Sequence, residues 1–196
     1  MESQHSQSFP PTLPDARQTR ALYLLAVLLG LGVAVFLAVI LIGRGSGSST
    51  QALPKIGAGP AAVSRAQLEE LAADTDHPVY WAGSRDGAYE LTRTTGGRIY
   101  IRYLPAADKV GDRAAKYLTV GTYPQRNAFR SLQRAAERRG AVSLKLPKGG
   151  LLVFNQQAPK SVYFGFPSAQ YQVEVFDPSP AQARTLVLDG TITAIK

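Results

Sequence analysis

In Ala88-Tyr-Glu-Leu-Thr-Arg-Thr-Thr-Gly-Gly-Arg-Ile-Tyr-Ile-Arg-Tyr-Leu104, apolar and polar side chains alternate on both sides of a Gly-Gly pair. A period of two marks a strand with one side toward a core. The pattern predicts strands at Ala88–Arg93 and Arg98–Leu104, and it also fixes their register. A two-residue turn at Gly96-Gly97 would set Leu91 against Arg102 and mix the two sides. A three-residue loop, Thr95 to Gly97, sets Leu91 against Ile101 and Tyr89 against Tyr103. A glycine in the left-handed region suits such a loop. The same register places Glu90 opposite Arg102, on the side expected to be wet.

Working outward, Val162–Phe166 and Tyr171–Phe176 pair in the same way across Pro167–Gln170, with Phe164 against Val173 and Val162 against Val175. Further strand-like segments lie at Val79–Trp81, Tyr117–Thr122, Ala141–Leu146, Leu151–Phe154 and Thr191–Ile195. Ser64 followed by Gln67 is a capping box, so a short helix is expected from Ser64 to about Ala73. A second helix is expected over 125–139, stopped by Gly140, and a third from Pro180 after the Ser179 cap. Val79–Gly83 with Tyr89–Leu91 resembles Val162–Phe166 with Tyr171–Val173. An internal duplication or two ordinary aromatic hairpins would both produce this likeness.

Upstream, residues 21–43 run for 23 residues without a charge, between Arg20 and Arg44. At about 1.5 Å per residue, such a helix would span a hydrocarbon core of ~30 Å. The core is longer than that of a cleavable signal peptide. The expected fold class is therefore α+β: one N-terminal transmembrane helix, then a single domain with a mainly antiparallel sheet and two or three short helices. The expected organisation is a disordered cytoplasmic tail over 1–20, the transmembrane helix over 21–43, a flexible Gly/Ser/Pro/Ala linker over 44–63 and a globular domain over 64–196. Arg17 and Arg20 precede the span; Arg44 and Lys55 follow it. The basic residues number two on each side, but the N-side pair is clustered and the 20-residue tail is a small load to leave inside, so the N-terminus is expected inside and the domain outside the cytoplasm.

The chain has no cysteine, which excludes disulfides and thiolate metal sites. Its 15 arginines against 7 lysines, with abundant Ala and Gly, suit a GC-rich bacterial coding sequence, and with the expected membrane span that implies a bacterial cell-envelope setting. The net charge of +8 is concentrated: residues 93–148 carry 13 basic and 3 acidic groups, while residues 51–92 carry 3 and 6.

Within the basic stretch, Arg126, Arg130, Arg134 and Arg138 recur every four residues. On a helix of about 100° per residue they form one row facing away from Ala128, Leu132 and Ala135. Such a row is a candidate anion-binding surface for anionic lipid, an envelope polymer or a protein partner. A solvated helix face is the plain alternative. Arg98, Tyr100 and Arg102 form a second basic, aromatic set, but no RNP-like motif accompanies it, which argues against nucleic acid.

Catalytic signatures are absent: there is no Gly-x-Ser-x-Gly, Ser-x-x-Lys, P-loop or Gly-x-Gly-x-x-Gly. His77 beside Asp74 and Asp76 lacks metal-ligand spacing and reads as a polar loop. Glu90, Glu137 and Glu174 could make a carboxylate pair only through the fold. No cofactor or metal is expected, and the reading leans away from an enzyme. The functional expectation is a single-pass, membrane-anchored, extracytoplasmic binding or scaffolding protein. Two alternatives stay open: a cytoplasm-facing domain docking on anionic lipid or nucleic acid, and a carboxylate-based envelope enzyme.

Overall fold

The computed structural model describes residues 52–195. Ten strands and three helices follow in the order β1 (Ala61–Val63), α1 (Arg65–Ala73), β2 (Tyr80–Trp81), β3 (Ala88–Arg93), β4 (Ile99–Leu104), β5 (Thr119–Pro124), α2 (Ala128–Ala136), β6 (Ala141–Lys145), β7 (Leu151–Asn155), β8 (Ala158–Gly165), β9 (Tyr171–Phe176), α3 (Pro180–Leu188) and β10 (Thr193–Ala194). Eight strands make one antiparallel sheet in the order β1-β3-β4-β5-β9-β8-β7-β6. β2 and β10 pair apart from it as a two-stranded ribbon.

The expected fold class needs correction. Each of the three helices has nine residues, or about 14 Å of rise against a hydrocarbon core of ~30 Å. Among the described residues no helix is long and apolar enough to cross a membrane. The architecture is a mainly antiparallel sheet with three short helices packed on it. The tail expected over 1–20 and the span expected over 21–43 lie outside the described residues. The linker expected over 44–63 ends early. Ala61–Val63 pair with Leu91–Tyr89, Val63 is buried, and the Gly57 amide donates to the Arg93 carbonyl at 2.8 Å. Three small apolar residues were too short a run to show a period of two, yet enough to extend an edge.

The deciding hairpin has the register its alternation requires: Tyr89 opposite Tyr103, Glu90 opposite Arg102 and Leu91 opposite Ile101. Gly97 closes the three-residue loop at φ 74°, and its amide donates to the Thr94 carbonyl at 3.0 Å. The second hairpin is likewise in register, with Val162 opposite Val175 and Phe164 opposite Val173. Leu91, Ile101, Val120, Val175, Val162 and Phe154 therefore line up as one apolar row across six strands. α1 packs on this first face with Leu68 and Leu71, and α3 with Ala183, Leu186 and Val187. The β2–β10 ribbon closes the same core with Trp81, Ile192 and Ile195. Ser64 caps α1 reciprocally with Gln67. The two look-alike aromatic segments thus play different parts: β2 belongs to the ribbon, β8 to the middle of the sheet.

The second face carries the polar rows. Glu90 and Arg102 were expected on a wet surface, but they are 1% and 2% exposed. The segment from Pro105 to Leu118 folds over them. Arg102 Nη1 lies 2.7 Å from Glu90 Oε1, Arg102 Nη2 donates to the Asp112 carbonyl at 2.8 Å, and the Gly111 amide donates to Glu90 Oε2 at 2.6 Å. The guanidinium also lies 5.2 Å from the Tyr117 ring centroid. In the same segment the Ala114 amide, the Tyr117 hydroxyl and Lys116 hold the Asp112 carboxyl well below the usual carboxylate range.

Candidate anion-binding face

α2 lies on the second face. Gly165 follows Phe164 on β8 and so points away from the first-face core. A Cβ at Gly165 would meet Leu132 Cδ1 at 2.9 Å, so Leu132 seats directly on the strand backbone there. Ala128 and Leu132 are the buried residues of the helix. Burying Leu132 contributes about 2 kcal/mol. Arg130 and Arg134 point the opposite way and are exposed. At about 100° per residue they sit ~200° from Ala128 and Leu132, so no rotation of the helix could bury both sets.

The continuous four-arginine row is not formed as expected. The helix spans nine residues rather than 125–139. Asn127 takes the left-handed conformation at φ 57°, ψ 33°, which leaves Arg126 in the preceding turn. At the other end the Arg138 amide donates to the Ala135 carbonyl at 3.2 Å, and the Ala141 amide to the Arg138 carbonyl at 3.0 Å. That tight turn ends the helix before Arg138, which is half-buried. Arg130 and Arg134 are therefore one helical pair, flanked in sequence by Arg126 and Arg138 in turns. Arg134 Nη2 lies 3.4 Å from Ser131 Oγ. Among the described residues none of the four arginines forms an ion pair.

Further cations stand on the second face. Lys145 alternates with Leu144, whose row continues to Leu152 and Phe164 on the first face, so Lys145 stands on the same side as α2. Arg98 lies 5.7 Å from the Tyr123 ring centroid. The first-face helices are mixed in charge: α1 carries Glu69, Glu70 and Arg65, the last 2.7 Å from Glu69, and α3 carries Arg184.

The second face also holds a closed polar cluster that sequence reasoning missed. Glu174, 5% exposed, accepts hydrogen bonds from the Tyr123 and Tyr163 hydroxyls, the latter at 3.0 Å. The Tyr123 ring lies over Gly121, the residue opposite Glu174, and meets Tyr100 edge-on at 5.5 Å. Burial, reinforced by the Glu174 charge, pushes the Tyr123 and Tyr163 hydroxyls well above their ordinary range. Both phenols remain proton donors to the carboxylate at any physiological pH. Only strand order brings these residues together, because β5 and β9 are far apart in sequence. The alternation of Tyr163 and of Glu174 with core residues was the sole available signal.

The candidate catalytic groups do not assemble. Glu90 on β3 and Glu174 on β9 are three strand spacings apart, about 14 Å at the backbone. That exceeds the ~5–9.5 Å separation of paired glycosidase carboxyls. Each is already engaged, Glu90 by Arg102 and Gly111, Glu174 by two phenols. Glu137 is exposed at the end of α2. His77 is half-buried, its Nδ1 3.2 Å from the Pro78 carbonyl. Among the described residues no three His, Asp or Glu side chains are grouped to hold a metal. The chain matches no protein-family model, no curated protein and no solved structure.

Proposed function

We propose that the chain is a non-catalytic, membrane-anchored binding or scaffolding module with its folded part outside the cytoplasm. Its α2 side engages an anionic partner. The observation that carries this reading is the division of labour on α2. The helix buries Ala128 and Leu132 against the sheet and presents Arg130 and Arg134 outward, without a carboxylate partner among the described residues. Like charges at a four-residue spacing cost a few tenths of a kcal/mol in a helix. The helix dipole favours Arg134 in the last turn, and an anionic partner would relieve the repulsion that remains at Arg130. Arg126, Arg138 and Lys145 add to the same excess.

Retention of the full-length chain on immobilised dextran sulfate, in a neutral detergent, tests the reading. The variant R126Q/R130Q/R134Q/R138Q should keep its circular dichroism spectrum and elute at lower salt. Elution of both proteins at the same salt concentration would remove the assignment.

A further inference from the structure

Among the described residues no strand lies beyond the β6 edge of the sheet, and its hydrogen-bonding groups can be assigned. The Leu146 amide donates to the Gly150 carbonyl and the Gln156 amide to the Gly140 carbonyl, both at 2.8 Å. In the β6–β7 register these are opposed pairs, two residues beyond each end of the ladder's inner even-numbered pairs. Residues 142 and 144 therefore bond inward to β7, and residues 141, 143 and 145 turn their amides and carbonyls outward. The Ala141 amide is taken by the Arg138 carbonyl. The Ala141 carbonyl and both backbone groups of Ser143 and Lys145 remain, with no described strand beyond them. The opposite edge is blunted: β1 has three residues and follows directly on Pro60.

The side chains of β6 add a chemistry. Val142 and Leu144 extend the first-face rows, and Leu144 is 37% exposed, a large apolar side chain left half-covered at the end of its row. Ser143 and Lys145 stand on the second face, beside α2. Arg138 and Arg139 precede the strand and Lys148 follows it. A second copy pairing antiparallel here would bring Lys145 and Lys148 of one chain toward Arg139 of the other, a repulsion that opposes self-association. An acidic segment meets the reverse situation.

Resting on the anionic-partner reading above, we infer that this partner is a polypeptide that adds an extended acidic segment to β6 as a ninth strand. About five residues, ~17 Å, match the open edge. Apolar residues of the segment would cover Val142 and Leu144 on the first face, and acidic residues would lie beside Ser143 and Lys145 on the second. Main-chain bonds would supply affinity and the alternating side chains selectivity.

The test uses the full-length chain in neutral detergent and a fluorescein-labelled heptapeptide of alternating Glu and Val, with its Lys/Val counterpart as control, read by fluorescence anisotropy. The Glu/Val peptide should bind at least roughly tenfold more tightly than the Lys/Val peptide. S143P removes one outward amide and no bond to β7, so it should weaken the Glu/Val peptide at least roughly tenfold while leaving dextran sulfate retention unchanged. L144E, an exposed substitution, should weaken it as well, and serves if S143P does not fold. Equal binding of the two peptides, or binding untouched by S143P and L144E, overturns the inference. So does a homodimer in sedimentation that S143P dissolves, because the edge would then belong to a second copy. Normal dextran sulfate retention without peptide binding would sink the strand-addition inference alone. Loss of arginine-dependent retention in the wild type would sink the underlying reading.

Discussion

Glu90→Gln is the sharpest probe of what holds the second face together. The pair it breaks is 2.7 Å long, with side chains 1% and 3% exposed, and it anchors the covering segment through Gly111, Asp112 and Ala114. Removing the carboxylate charge that faces a buried guanidinium costs about 3–5 kcal/mol. In a folded unit of this size each kcal/mol lowers Tm by about 2–4 °C, so E90Q should melt about 6–20 °C below the wild type. Replacing both partners with apolar residues of similar volume, as in E90L/R102L, removes both desolvation penalties. It should recover much of that loss. Calorimetry gives the Tm values, and hydrogen exchange at the Gly111 amide reports the local bond. An E90Q Tm within a degree of the wild type, with unchanged protection at Gly111, would refute this account of the pair.

Gly165→Val should unseat α2, because even a Cβ meets Leu132 at 2.9 Å; a loss of about 1–3 kcal/mol in urea unfolding is expected, and full stability would contradict the packing. The raised Tyr123 and Tyr163 hydroxyls make stability fall at alkaline pH: the unfolded phenols ionise near pH ~10 while the folded ones stay protonated, so their contribution is intact below that pH and is lost above it. Absorbance at 295 nm should show these two titrating only with cooperative unfolding, and Y123F/Y163F should flatten the alkaline slope; an unaltered slope would refute the attribution. Protease added to intact cells should digest the folded part without lysis, whereas digestion only after lysis would reverse the proposed topology.

Both hairpin registers were legible because they are local: a period of two and one loop length admit a single alignment for Leu91 with Ile101 and for Val162 with Val175. The contact of β5 with β9 was not legible, since no local pattern ties Gly121 to Glu174, and with it the tyrosine–carboxylate cluster stayed hidden. The pairing of Glu90 with Arg102 could be read, but its burial could not, because burial depends on how the segment from Pro105 to Leu118 folds back. The arginine spacing overstated α2. Periodicity continued through Arg126 and Arg138, while backbone conformation at Asn127 and the turn before Ala141 ended the helix sooner. The apolar run 21–43 gave the membrane expectation and lies outside the described residues.

The position of the α2-side arginines, beyond the net charge of the chain, should set its affinity for an anion. This is tested most directly by comparing two variants that each lower the net charge from +8 to +4. One is R126Q/R130Q/R134Q/R138Q. The other is K55Q/R65Q/R85Q/K160Q, which neutralises exposed cations away from α2. The measurement is affinity for dextran sulfate as a function of salt concentration. The account predicts that only the first variant loses affinity and salt dependence; equal losses in both would mean that net charge alone attracts the anion, and the assigned face would be wrong.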